Sequence, residues 1–279
     1  MYITVLRFST TNNNRSVAMQ NVIPKKANQA FNQLPAHYPG KLSIEDIILY
    51  SSLKEAYTRV AEVFDFAQHP YFDWMKHTDK RSFAQSQIPF RYAVEGFSCA
   101  LAATVAKIPQ LERRVRLADN VAEEHGLIGN KVPHKYTIAE FLHALGIEES
   151  ELDVPCPAGV HAFNQSIRNF CLSNSPEAGA ALLGIIEYVF ITISNVVATH
   201  IVSAGWASKG SQRHYEFHEE LDIEHSQVLF DLSDEYWPHL WKREEICQGL
   251  ILGAHYFWEL YNSLYYNKVE KNAVASHLG

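Results

Sequence analysis

Cysteine is sparse in this chain. The four present, Cys99, Cys156, Cys171 and Cys247, are scattered, and none falls in a C-x-x-C pair. That argues against a disulfide framework and for reduced thiols, so a cytoplasmic location is expected. Positive charge is short as well. Lys and Arg number 24 against 31 acids, a net charge of −7, which gives no electrostatic footing for nucleic acid or an anionic membrane. The first residues lack the apolar core of a secretory signal. There is no internal repeat, and apart from MYITVLRF at the very start no segment reads as a strand. The one long apolar run, Ala178 to Ser208, holds Glu187 as its sole charge and superficially resembles a membrane span. Asn195, His200 and several Ser and Thr interrupt it, and no basic flanks orient it, so a buried central helix is expected.

What is present is an ordinary globular composition, 47% apolar and 20% charged over 279 residues, enough for one large core. The expected organisation is an arm over 1–41, partly irregular, followed by a single all-α domain over 42–279. Apolar spacing predicts a helix from Ser43 to about Gln68, then a short aromatic turn at His69 to Phe72. A second helix is expected from Ser82 to Lys107, with Pro89 as a kink, and a third from Pro109 to His125, stopped by Gly126. Thr137 and Glu140 form a capping-box pattern that starts a helix ending near Gly146. An acidic loop leads to a helix over Gly159 to Ser173. Ser175-Pro176 then opens the long apolar helix, Gly210 precedes the next one, and Pro238 starts the last, which runs to about Lys271.

Fourteen histidines leave room for a site. The densest stretch is His214-Tyr-Glu-Phe-His218-Glu-Glu-Leu-Asp222-Ile-Glu-His225. At helical pitch His218, Asp222 and His225 share one face, and His214 continues the line one turn earlier. Two imidazoles and a carboxylate on one stripe suit iron, manganese or zinc. The alternative is a solvated face, because Glu219, Glu220 and Glu224 are interspersed. Glu187 weighs against that alternative. A lone carboxylate in an apolar helix must be paired, protonated or metal-bound, and its helix is the neighbour of the histidine helix in sequence. Glu123-Glu124-His125-Gly126, with His134 in the following segment, is a third cluster. Glu95 is a fourth, the only acid between Asp79 and Glu112. Glu140 and His143 have a ligand-like spacing, but Glu140 is already accounted for as a capping acid. His200 reads as a core histidine, and Trp237, Trp241, Phe257 and Trp258 as packing.

Together these motifs resemble the haem-oxygenase-like diiron oxidases and oxygenases, the iron-containing redox enzymes of the TenA/PqqC-like structural group. The resemblance extends from about His69 to Leu264. It implies a haem-oxygenase-like multi-helix bundle with the metal site in its core. The family's ligands fall on Glu124, His134, Glu187, His218, Asp222 and His225, with Glu95 matching the extra carboxylate of amine N-oxygenases. Glu123 and His125 are rivals for the Glu124 and His134 corner. The cofactor implied is two iron ions, and the partners are O2, a small-molecule substrate, an external electron donor and a second copy of the chain.

The function expected from the resemblance is O2-dependent oxidation of a small, amino-acid-derived substrate in natural-product biosynthesis. N-oxygenation, desaturation and oxidative C–C cleavage are the reactions in view. Arg91, Arg168 and Arg213 are candidates for a substrate carboxylate, and His214 for a contact beside the metal. The alternatives are a metal-free TenA-like hydrolase with a cysteine nucleophile and a non-catalytic iron-binding protein.

Overall fold

A computed structural model of the chain describes residues 42–128, 132–210 and 213–277, and within them the side chains other than 213, 217–221 and 267–277. The expected arm and its MYITVLRF strand lie outside these residues. The described elements belong to the unit Pro39–Gly279, and no strand occurs among them. A 3-10 turn at Ile44–Asp46 comes first. The helices follow as α1 (Leu53–Phe64), α2 (Pro70–His77), α3 (Lys80–Gln87), α4 (Phe90–Lys107) and α5 (Leu111–Glu124). After these come α6 (His134–Ala144), α7 (Glu149–Leu152), α8 (Ala158–Ser173), α9 (Pro176–Ser203), α10 (Arg213–Asp234) and α11 (Leu240–His277).

Several boundaries differ from the sequence expectation, each for a local reason. The helix expected from Ser43 to Gln68 is interrupted before α1. Ser52 accepts the Glu55 amide at 3.2 Å and Glu55 Oε2 accepts the Ser51 amide at 2.9 Å, a side-chain cap that starts a new helix there. The aromatic turn after it is a helix, because His69 Nδ1 caps α2 through the Tyr71 amide at 3.0 Å. Pro89 separates α3 from α4 instead of kinking one helix, as a missing donor and a bulky ring inside a helix favour. Thr137 is not a cap. Its hydroxyl bonds back to the His134 carbonyl at 2.9 Å, and α6 begins at His134.

The apolar helix α9 is the axis of the bundle. It packs against α10 and α11, and 72% of its most apolar window is buried by the protein itself. Glycine permits the closest approach. A Cβ at Gly249 or Gly253 of α11 would run into the carbonyl oxygen of Ala178 or Leu182 on α9. Ser175 caps α9 and Pro176 takes its first position. Helix α4 packs on α5, α6 and α8, while α10 contacts both α5 and α6. Helices α5, α6, α9 and α10 thereby converge on one interior region.

Candidate metal centre

Each of those four helices brings ligand-type side chains to that region. Gly126 adopts φ +68°, a conformation that ends α5 at little steric cost. The turn leaves Glu124 buried on the last helical residue, at 8% exposure. His134 enters at the first turn of α6, Glu187 from the middle of α9, and Asp222 with His225 from one face of α10; all four are buried. His218 and Arg213 lie on α10, and their side chains fall outside the described residues.

Ligand atoms of Glu124, Glu187 and His225 all lie within 4.8 Å of one another. His225 Nδ1 is 3.9 Å from Glu187 Oε1, and neither atom has a hydrogen-bond partner among the described residues. On its other side, His225 Nε2 donates to Glu123 Oε2 at 2.7 Å. That bond places the hydrogen on Nε2 and directs the lone pair of Nδ1 at the cluster, the carboxylate–histidine support that metal-bound imidazoles use. His134 Nδ1 lies 2.9 Å from Glu124 Oε1.

The electrostatics of the cluster call for a cation. Burial, and then the charges of Asp222 and Glu124, push the Glu187 carboxyl well above its usual range. Burial likewise raises Asp222, which accepts a hydrogen bond from Glu187. The metal-free pair thus shares a proton, as like charges in one dry site must. Burial works against charging His134, but Glu124, ahead of Asp222 and Glu123, outweighs it and raises that imidazole. Burial dominates at His225 and lowers it. Three buried carboxylates and two imidazoles are costly alone and well matched to a divalent transition metal. The residues present therefore fit iron.

A cavity borders the cluster. Glu124, Glu187, His134 and His214 line it together with Phe90, Phe97, Phe163, Phe190 and Phe257. No Lys or Arg does so among the described residues. Arg91 is instead bound to the Leu152 carbonyl and to the Tyr92 hydroxyl. Arg168 is exposed on α8 and bonds Gln165 at 2.5 Å.

Of the residues singled out in the sequence, Glu124, His134, Glu187, Asp222 and His225 come together here. Glu95 does not. Its carboxylate is 54% exposed and paired with Lys135 at 3.2 Å, on the outside of α4. His125 also faces out, bonded to the Val121 carbonyl at 2.7 Å. Glu123, a rival ligand in the sequence, serves as the support of His225. Thr137, beside His214 at 3.0 Å, was not foreseen as part of the site. The phenylalanine wall was also missed, since its members come from α4, α8, α9 and α11 and share no local motif.

The fold and this buried histidine–carboxylate cluster define a haem-oxygenase-like, all-α protein. A family model described as iron-containing redox enzyme matches residues 88–258. The chain belongs to that family, and iron is its family's metal. No curated protein matches it in sequence. Among solved structures it is similar to a TenA homolog from Pseudomonas syringae pv. tomato, with TM-score 0.58 and 18% identity over 76% of this chain and 89% of that one. It is also similar to a domain of unknown function with a haem-oxygenase-like fold from Shewanella denitrificans, with TM-score 0.64, 13% identity, and coverage of 77% and 92%. A TenA family transcription regulator from Silicibacter gives TM-score 0.53 and 13% identity, with coverage of 76% and 99%. At these identities the likeness concerns the fold.

Proposed function

We propose that this protein is a non-haem diiron oxidase or oxygenase that uses O2 to oxidise a small molecule with an apolar body. The observation that carries the proposal is the convergence of Glu124, Glu187 and His225 within 4.8 Å at the edge of a phenylalanine-lined cavity. Glu124, His134, Glu187, His218, Asp222 and His225 would hold two irons. Bound iron supplies the one-electron chemistry with O2 that side chains lack. The chain's own residues do the rest. Glu187 and Asp222 give up their shared proton when a cation enters. Glu123 fixes the His225 ring, and the Phe wall excludes water from the substrate and orients it.

An amino-acid-derived substrate in natural-product biosynthesis stays within this proposal, with one change. Arg91 and Arg168 are engaged elsewhere, which leaves Arg213 as the candidate for a substrate carboxylate, beside an apolar wall that takes the rest of the molecule. A cytoplasmic homodimer drawing on an external electron donor completes the proposal. The competing hydrolase reading needs a reactive thiol at the cavity. Burial raises Cys171 to about 11 and Cys247 to about 12, and no described cysteine lines the cavity. Such thiols are protonated and poor nucleophiles.

The test is anaerobic Fe(II) loading followed by O2. About two irons per chain and a transient visible absorption are expected, with iron lost in Glu187→Ala and His218→Ala. Full iron content in both variants would show the metal to be elsewhere.

A further inference from the structure

Helix α5 turns one face to the core and leaves an apolar seam on the other. Its buried residues are Leu117, Asn120 and Glu124. At about 100° per residue, Leu111, Val115, Ala118 and Ala122 fall within a sector of about 60° on the opposite side. Leu111 is 60% exposed and Val115 49%; Ala118 is exposed and Ala122 half-buried. A single exposed apolar residue is ordinary. Here two large ones stand one turn apart, and alanines continue their line. The alternating steps of four and three residues are those of the a and d positions of a paired helix.

The flanks of the seam are charged. Within the chain, Arg113 pairs with Glu235, and Arg116 with Asp231 at 3.1 Å. Arg114 and Asp119 enter no such pair among the described residues, and Arg114 Nε has no hydrogen-bond partner there. With Val115 and Ala122 at a, and Leu111 and Ala118 at d, Arg114 falls at g and Asp119 at the following e. In a parallel pair, g of one helix meets that e of the other. Arg114 therefore meets the partner's Asp119, and two-fold symmetry repeats the pair. An antiparallel pair sets like flank against like flank, and the flank of Glu112 and Asp119 would stand acid against acid.

We propose that the outer face of α5 is a homodimer interface, on which a second copy of the chain lays its own α5 in parallel about a two-fold axis. Leu111, Val115, Ala118 and Ala122 form the seam, and Arg114 pairs with the partner's Asp119 on both sides. Ala118 and Ala122 are small, so the two helices come closest at the end that leads to Glu123 and Glu124. A pair of 14-residue helices is a small contact, and the dimer dissociates on dilution. The inference deepens the homodimer of the function proposed above, and oligomeric state judges it independently of the metal.

Sedimentation velocity of the full-length chain, diluted from millimolar to micromolar, tests it. The wild type should show a reversible monomer–dimer equilibrium. Arg114→Glu and Asp119→Arg should each weaken association on the order of tenfold, and both reversals in one chain should restore it. Val115→Glu, with a charge on the seam, should be monomeric. Circular dichroism and the melting temperature should match the wild type in every variant, since these side chains are not core residues. A wild type that is monomeric throughout would give the face to a different partner and overturn the proposal. So would a dimer that persists in Val115→Glu, because the copies would then meet elsewhere. A double reversal no tighter than the single ones would refute the parallel pairing. Iron content, measured on the same samples, should be unchanged in Val115→Glu, so a failure of the metal site and a failure of the interface are read separately.

Discussion

At the residue scale, a histidine ligand depends on the group behind it. His225 is steered by Glu123, whose carboxylate takes Nε2–H at 2.7 Å and leaves Nδ1 for the metal. Removing such a partner typically weakens a metal about 10–100-fold. Glu123→Ala should lose iron affinity by about that factor in a chelator competition, with Glu123→Gln between it and the wild type. Unchanged affinity in Glu123→Ala would reduce the pair to a packing contact. Glu95→Ala is the matched control and should bind iron as the wild type does, because Glu95 faces Lys135 and solvent. The two acids show what a sequence can disclose. Glu187 was legible because a single acid stands in an otherwise apolar helix. Glu95 is likewise a lone acid in its stretch of sequence, but its neighbours along the chain are not its surroundings in space. Adjacent helical residues point about 100° apart, so Ala93, Val94 and Phe97 line the cavity while Glu95 faces out. Glu123 and Glu124 could not be assigned separate roles, since only the end of α5 decides which carboxylate enters and which stands behind.

At the element scale, the site depends on how closely α9 and α11 approach. Gly253 faces the Leu182 carbonyl with no room for a methyl group, and backbone cannot move aside as a flexible side chain can. Gly253→Ala should therefore destabilise the fold by about 1–3 kcal/mol, as overpacking does, in spite of alanine's better helix propensity. Urea unfolding of the variant checks this, and a stability gain would show that the two helices are free to separate. The existence of most helices was legible from apolar spacing, and the opening of α9 from Ser175-Pro176. Boundaries were less so, because competing local bonds set them. Ser52 restarts a helix that periodicity alone continues. Thr137 looks like a cap but bonds backward, which moves the start of α6 to His134. That shift places His134 on a helix rather than in a loop, and brings Thr137 under His214.

For the whole molecule, a buried histidine and a buried pair of carboxyl groups impose opposite pH dependences on stability. His69 is fully buried, and desolvation, opposed by its bond to the Trp258 carbonyl, lowers it from 6.5 to about 4. The fold keeps it neutral, so its contribution is complete above the unfolded value and is lost as pH falls from 6.5 to about 4, at most about 3 kcal/mol. His69→Asn should flatten that acid-side loss. Glu187 and Asp222 are raised above 4.5 and 3.8, and the sign reverses. The metal-free fold gains from their protonation below those unfolded values and loses that gain as pH rises through the folded ones. Iron or zinc competes with the same protons, so its affinity rises with pH. Saturating metal should therefore raise the melting temperature more at pH 8 than at pH 5.5. At a free concentration 100 times Kd the gain is about 2.7 kcal/mol. Calorimetry of the chain with Zn(II) and with chelator measures the difference directly. A stabilisation independent of pH would mean that metal displaces no proton from Glu187 and Asp222, and that the ion binds away from the buried cluster.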